Sequence, residues 1–298
     1  MHLAAHTWMR PEPLEKTLDR LSRLGYWGVE LAGEPDQFQV EETRALLKKY
    51  NISCWGMVTI QQGKRDLIAA DPQQRRDSIN YVKDIVSLSA SLGGQIVTVV
   101  PGSVGKMVST SAPEDEWKWA VEGLREVAAL AKEKGIRVGI LNRFETYFIN
   151  RSDQALALAD EVGYDVGIAF DPFHLALEEA DLLAAIRRCK GRIIDFHVAD
   201  NNRLAPGDGS FVWEDMIPAL AEAGYDGALA VEAMPPVDRT PIGKFGSLQR
   251  ELGTIEVSAD HLKFIQDHGS ALLGEEYYTD VMRRSAAKLA PYVEKTEM

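Results

Sequence analysis

The sequence predicts a single closed (β/α)8 TIM barrel spanning residues 1–298. Three observations lead there: a helix, glycine, strand joint that recurs along the chain, a length that suits one large closed sheet, and abruptly polar residues at the ends of three apolar runs. In parallel barrels the chemistry sits where strands end and the following loops begin, so those polar ends also locate the candidate site.

The joints read LGYWGVEL at 24, KYNISCWGMV at 49, LGGQIVTVV at 92, KGIRVGIL at 134, VGYDVGIAF at 162, KGRIIDFHV at 190 and AGYDGALAVE at 223. Each carries a Gly or Asn where an amphipathic stretch stops, and these residues enter the left-handed conformation that ends a helix. The run that follows is rich in Val, Ile and Leu without strict alternation, as expected of a parallel strand covered on both faces. The opening MHLAAHTW supplies the eighth strand. Between the joints, Leu14, Leu18 and Leu21, or Trp117, Val121, Leu124 and Ala128, recur at spacings of three and four, so each helix has one face to bury. Strand–helix alternation also permits an open doubly wound sheet, but eight units without a domain break favour closure.

Two stretches depart from the pattern. Residues 60–75 (IQQGKRDLIAADPQQR) form a long polar connection after the third strand, placed at the barrel mouth. Residues 233–274 follow the eighth strand and contain Pro235, Pro236, Pro241, Gly243, Gly246, Gly253 and Gly269. Long loops in compact domains are usually functional, so this segment is expected to be a lid or a partner-binding surface within the barrel.

Composition is that of a globular protein, with 45% hydrophobic and 26% charged residues. The formal charge of −12 repels phosphate backbones and anionic lipid, which argues against nucleic-acid and membrane partners. Cys54 and Cys189 lack any ligand-like spacing and suit buried free thiols in a reducing cytoplasm. The N-terminal MHLAAHTWMRPEP is too short and polar for a signal peptide, and no apolar stretch approaches a membrane span.

The sixth strand ends in Asp171-Pro172-Phe173-His174, the seventh in His197 and the eighth in Glu232. A carboxylate at the end of a buried strand is costly unless it is hydrogen-bonded, paired or metal-bound. Asp171, His197 and Glu232 come from consecutive strands and should point into one mouth. This O,N,O set suits a divalent ion, Mn2+ first, with Co2+, Mg2+ or Zn2+ also compatible. The bland alternative makes each a helix cap or loop ion pair. His174 is close enough in sequence to reach the same cavity, and Arg203 would bring a guanidinium to the rim, for a substrate oxygen or for a salt bridge. Trp8, Trp55 and Phe173 are apolar contacts for a substrate or simply core.

NRFE at 142, DPFH at 171, FHVADNNRLAPGDG at 196 and AVE at 230 resemble the xylose-isomerase-like barrel superfamily. Within it the chain is most similar to the ketose 3-epimerases, the group with D-tagatose and D-allulose 3-epimerase, over about residues 1–235. The resemblance implies Asp171, His197 and Glu232 as metal ligands, Glu232 also as base, and Glu145, His174 and Arg203 in contact with the sugar, with Glu145 and His174 counted among the catalytic residues. It also implies a homo-oligomer. One departure is specific: the family has a metal-binding catalytic glutamate three residues before the Asn of NRFE, and Gly139 stands there in this chain.

The expected function is therefore a divalent-metal-dependent keto-sugar isomerase or epimerase that removes a proton next to a carbonyl, through an enediolate. Gly139 keeps two alternatives open. One is a lyase cleaving 3-keto C-glycosides by β-elimination, similar to C-glycoside deglycosidases with their small partner subunit. The other is a non-catalytic sugar-binding barrel.

Overall fold

The computed structural model describes residues 1–235, 239, 259, 263 and 273–294. Eight parallel strands close into a barrel: β1 (His2–His6), β2 (Gly28–Gly33), β3 (Ser53–Thr59), β4 (Ile96–Val99), β5 (Arg137–Leu141), β6 (Gly167–Phe170), β7 (Ile193–Val198) and β8 (Ala228–Val231). Closure is made by β1 against β8, with Leu3 opposite Leu229 and Ala5 opposite Val231. The strand positions are those the joints predict. Gly25 (φ 78°) and Asn51 (φ 53°) occupy the left-handed conformation just past their helices, which is why those residue types recur there.

The helices α1 (Leu14–Arg23), α2 (Val40–Lys49), α3 (Pro72–Ser91), α4 (Pro113–Glu133), α5 (Ser152–Val162), α6 (Pro172–Leu175), α7 (Leu182–Arg188) and α8 (Trp213–Glu222) alternate with the strands, and a last helix spans Glu275–Leu289. Leu18 and Leu21 of α1, and Val121, Leu124 and Ala128 of α4, are buried on the sheet, as their spacing requires. None of the helices among the described residues is long and apolar enough to cross a membrane. Cys54 and Cys189 are buried free thiols.

Inside the barrel, small and apolar side chains form a floor: Ala4, Trp55, Ile96, Ile194, Ala228 and Ala230 pack in one cluster. Two residues further along the strands the inward positions become ionisable, because side chains alternate across a strand. Ala4 is followed by His6, Ala230 by Glu232, and Gly28 by Glu30, which pairs opposite His6. The site thus rests on an apolar plug near the opposite end of the strands.

Two sequence readings need adjustment. His197 lies inside β7 rather than at its end, one residue before Val198. Trp55 is part of the floor, bonded through its indole N–H to Asp195 at 2.9 Å, so it is core and not a substrate contact. The expected lid or partner-binding segment at 233–274 lies mostly outside the described residues.

Candidate functional site

Asp171 follows β6 directly and does two things with its two oxygens. Oδ1 caps α6 by accepting from the backbone N–H groups of Phe173 (2.9 Å) and His174 (3.4 Å). Oδ2 points the other way, 3.5 Å from His197 Nδ1. The capping alternative therefore holds for Asp171 Oδ1, while Oδ2 stays free of the cap and faces His197. Glu232, just past β8, brings Oε2 to 3.3 Å from the same His197 nitrogen. The donor atoms of Asp171, His197 and Glu232 lie within 4.8 Å of one another, and all three residues are buried.

Arg203 completes the charge pattern. Its Nη1 donates to Glu232 Oε2 (3.0 Å) and Asp171 Oδ2 (3.3 Å), and Nη2 lies 3.0 Å from His174 Nε2. The guanidinium also stacks over the Phe173 ring, 4.2 Å from its centroid. Arg203 sits at φ 61°, a strained conformation for a non-glycine residue, of the kind that clusters at functional sites. Asp200 imposes it. This buried carboxylate gathers the loop by accepting from the backbone of Asn201 (2.9 Å), Gly207 (2.9 Å) and Phe211 (3.1 Å) and from the Trp213 indole (3.0 Å). That is the physical content of the ADNNRLAPGDG string.

His174 bridges two carboxylates, with Nε2 3.5 Å from Asp171 Oδ2 and Nδ1 3.3 Å from Glu145 Oε2. Glu145 is further held by the Arg143 guanidinium at 3.1 and 3.2 Å. Glu145 is not within the ligand group of Asp171, His197 and Glu232.

The ionisation states follow from this crowding. Burial works against charge on Glu232 and Asp171, but Arg203 leads the opposing charges, and both carboxyls are held well below their usual range. Burial also opposes charge on Glu145, yet His174 and Arg143 hold it low. His197 is driven well above its usual value despite burial, by Asp195, Asp171 and Glu232 around it. Burial lowers His174.

A cavity of about 220 Å³ opens over this cluster, lined by Glu232, Arg203, His174 and Glu145 and walled by Trp8, Phe144, Phe173 and Met234. Gln61 and Thr59 from the end of β3 line it too, and their buried side-chain polar atoms have no hydrogen bond among the described residues. The long connection after the third strand therefore does reach the mouth, as its position predicts.

Gly139 lies on β5 between Thr98 and Gly167 of the neighbouring strands. A Cβ there would meet Ile194 Cγ1 at 3.2 Å and the Ala169 backbone nitrogen at 3.3 Å. The space a side chain at 139 would need is thus partly filled by Ile194. Sequence reasoning missed Glu30 and Asp195, both fully buried inside strands. The signal was available, since a carboxylate within an otherwise apolar parallel strand needs a partner.

A family model described as xylose isomerase-like TIM barrel matches residues 18–250. The D-psicose 3-epimerase of Enterocloster bolteae is 30% identical over 231 residues, covering 73% of this chain and 76% of that protein. The L-ribulose 3-epimerase of Mesorhizobium japonicum is 31% identical over 175 residues, covering 57% of this chain and 59% of that one. Among solved structures, D-allulose 3-epimerase from Methylomonas sp. in complex with D-allulose superposes with a TM-score of 0.81 at 19% identity, over 98% of this chain and 97% of that one, a likeness of fold.

Proposed function

From the premise that the chain belongs to the xylose isomerase-like TIM barrel family, we propose that it is a 3-epimerase of free ketoses, with Glu232 as the base that removes the proton beside the ketone. The chain is an enzyme of the metal-assisted sugar isomerase and epimerase type. The observation that carries the assignment of Glu232 is its double position: it shares the buried donor cluster with Asp171 and His197 and also lines the cavity.

Asp171, His197 and Glu232 would hold a divalent ion, with Mn2+ the first choice; the unbonded nitrogens of the His197 ring and its crowd of carboxylate oxygens fit one. Bound there, such an ion would polarise the ketone and its neighbouring hydroxyl. The protein's own groups do the rest. Glu232, kept ionised beside Arg203, accepts the carbon-bound proton. Arg203 offers N–H donors where negative charge develops on a substrate oxygen. His174, positioned by Glu145, takes the second acid–base role for which Gly139 provides no carboxylate. Thr59 and Gln61 offer unused hydrogen-bonding groups to sugar hydroxyls.

Gly139 also supports a second reading, β-elimination from a 3-keto C-glycoside, which needs one base and one acid instead of two opposed carboxylates. For either reaction we place the protein in the cytoplasm as a homo-oligomer; the elimination reading adds a small partner subunit. Incubation of the Mn2+-loaded protein with fructose, allulose, tagatose, ribulose and a 3-keto C-glycoside separates the readings. A C3 epimer of a ketose supports the first, and release of an aglycone without epimer supports the second.

A further inference from the structure

Beneath the proposed catalytic cluster, on the other side of the His197 ring, lies a second group of ionisable residues that the reaction does not use. Glu30 Oε2 stands 3.6 Å from His197 Nε2 and 3.5 Å from His6 Nε2, and Asp195 Oδ2 stands 2.9 Å from His197 Nε2. His6, Glu30, Asp195 and His197 are at most 1% exposed. Both nitrogens of His6, both oxygens of Glu30, Asp195 Oδ2 and both nitrogens of His197 lack a well-formed hydrogen bond among the described residues. Native interiors leave few such groups unsatisfied, and each one costs about 1–3 kcal/mol when it has no partner. His197 Nδ1 faces the upper cluster, and the other six, on His6, Glu30, Asp195 and His197 Nε2, call for an occupant.

We propose that His6 and Glu30, together with Nε2 of His197, form a second divalent-cation site with Asp195 beside it, so that the His197 imidazole stands between two ions. The spacing supports it. Donors about 2.1 Å from a tetrahedral ion stand about 3.4 Å apart, close to the separations of Glu30 from His6 and His197. The donor atoms of His6, Glu30 and His197 all lie within 4.8 Å of one another, as do those of the upper group, which His197 joins through its other nitrogen. The two imidazole nitrogens favour a first-row transition ion such as Co2+, Zn2+ or Mn2+ over Ca2+.

Charge points the same way. Asp171, Glu232, Glu30, Asp195 and a bridging imidazolate are balanced by two divalent ions and Arg203, which leaves no net buried charge. The lower group does not line the cavity. Its ion would therefore be structural, fixing the orientation of His197 from behind as an outer-shell partner does. This site stands independently of the keto-sugar reading, since it requires only the side chains inside the barrel.

The test is metal stoichiometry. Full-length protein is stripped with chelator, reloaded with excess Mn2+, desalted and assayed for manganese per chain, with circular dichroism as the control for folding. Wild type is expected to retain two ions with the electron paramagnetic resonance signature of an exchange-coupled pair. Glu30→Gln and His6→Phe are each expected to retain one uncoupled ion, and Asp171→Asn to keep the lower one. A single ion in saturated wild type overturns the proposal without recourse to any variant. Two ions retained by folded Glu30→Gln and His6→Phe proteins also overturn it, because the second ion must then lie elsewhere.

Discussion

Arg203 Nη1 donates to Glu232 Oε2 at 3.0 Å, and both residues are buried beside the cavity. This pair keeps the proposed base ionised in a place where burial alone would protonate it. Replacing Arg203 by Gln should therefore act on the pH profile as well as on the rate. The acid limb of kcat/KM is expected to move to higher pH, because Glu232 loses the charge that depresses it, and kcat/KM should fall by about 10²–10³-fold. Arg203→Lys should not restore it, since one ammonium cannot reach Glu232 and His174 while stacking on Phe173. Steady-state kinetics across pH checks both.

Glu145 holds His174 from the side away from Asp171. Glu145→Gln is expected to lower kcat about 10–100-fold while leaving the metal content of the protein unchanged, because Glu145 lies outside both donor groups. A loss of bound metal in this variant would instead place Glu145 among the ligands.

Gly139 gives a prediction with a steric condition. Gly139→Ala pushes a methyl against Ile194 Cγ1 at 3.2 Å and the Ala169 nitrogen at 3.3 Å, and should cost about 1–3 kcal/mol of stability. Gly139→Glu alone should be destabilised as well. Combined with Ile194→Ala, which clears the space, it should bind Mn2+ more tightly and raise 3-epimerisation. Denaturant melts and Mn2+ titration measure the two effects, and no gain in the double variant would mean that the pocket is built for other chemistry.

The metal-free protein should lose stability as pH rises from 6.5 to 8. Burial, with Asp195 beside it, raises Glu30 to about 8 in the folded state, so it keeps a proton that the unfolded chain releases near 4.5. Its stabilising contribution is complete below 4.5 and is lost as pH climbs to 8. His197, raised despite burial by its carboxylate neighbours, adds a slope of the same sign above 6.5. His6, lowered by burial to about 3, contributes the opposite slope, but only between 3 and 6.5. Glu30→Gln should flatten the fall between 6.5 and 8 in thermal melts of stripped protein. An unchanged slope would mean that Glu30 ionises normally in the fold.

The barrel was legible because its punctuation is chemical. Gly25, Asn51 and Gly135 mark helix ends by a backbone conformation that other residues resist, and Leu18 or Val121 repeat at the helical period. Asp171, His197 and Glu232 stood out as polar ends of apolar strands, and Arg203 and His174 as their sequence neighbours. Glu30 and Asp195 did not stand out, since each is one charged residue inside a strand, and only closure of the sheet brings β2 against His6 and β7 against both. Ile194 filling the space beside Gly139 was equally invisible, because it depends on the register shift between β6 and β7.

The central claim is that Glu232 removes a carbon-bound proton beside the ketone. Proton NMR of Mn2+-loaded protein with allulose in D2O tests it most directly, run in parallel with a Glu232→Gln variant shown to be folded and metal-loaded. Deuterium appearing at C3 together with the epimer in wild type, and neither in the variant, is the predicted result. Epimer formation without deuterium, or deuterium incorporation undiminished in Glu232→Gln, would contradict it.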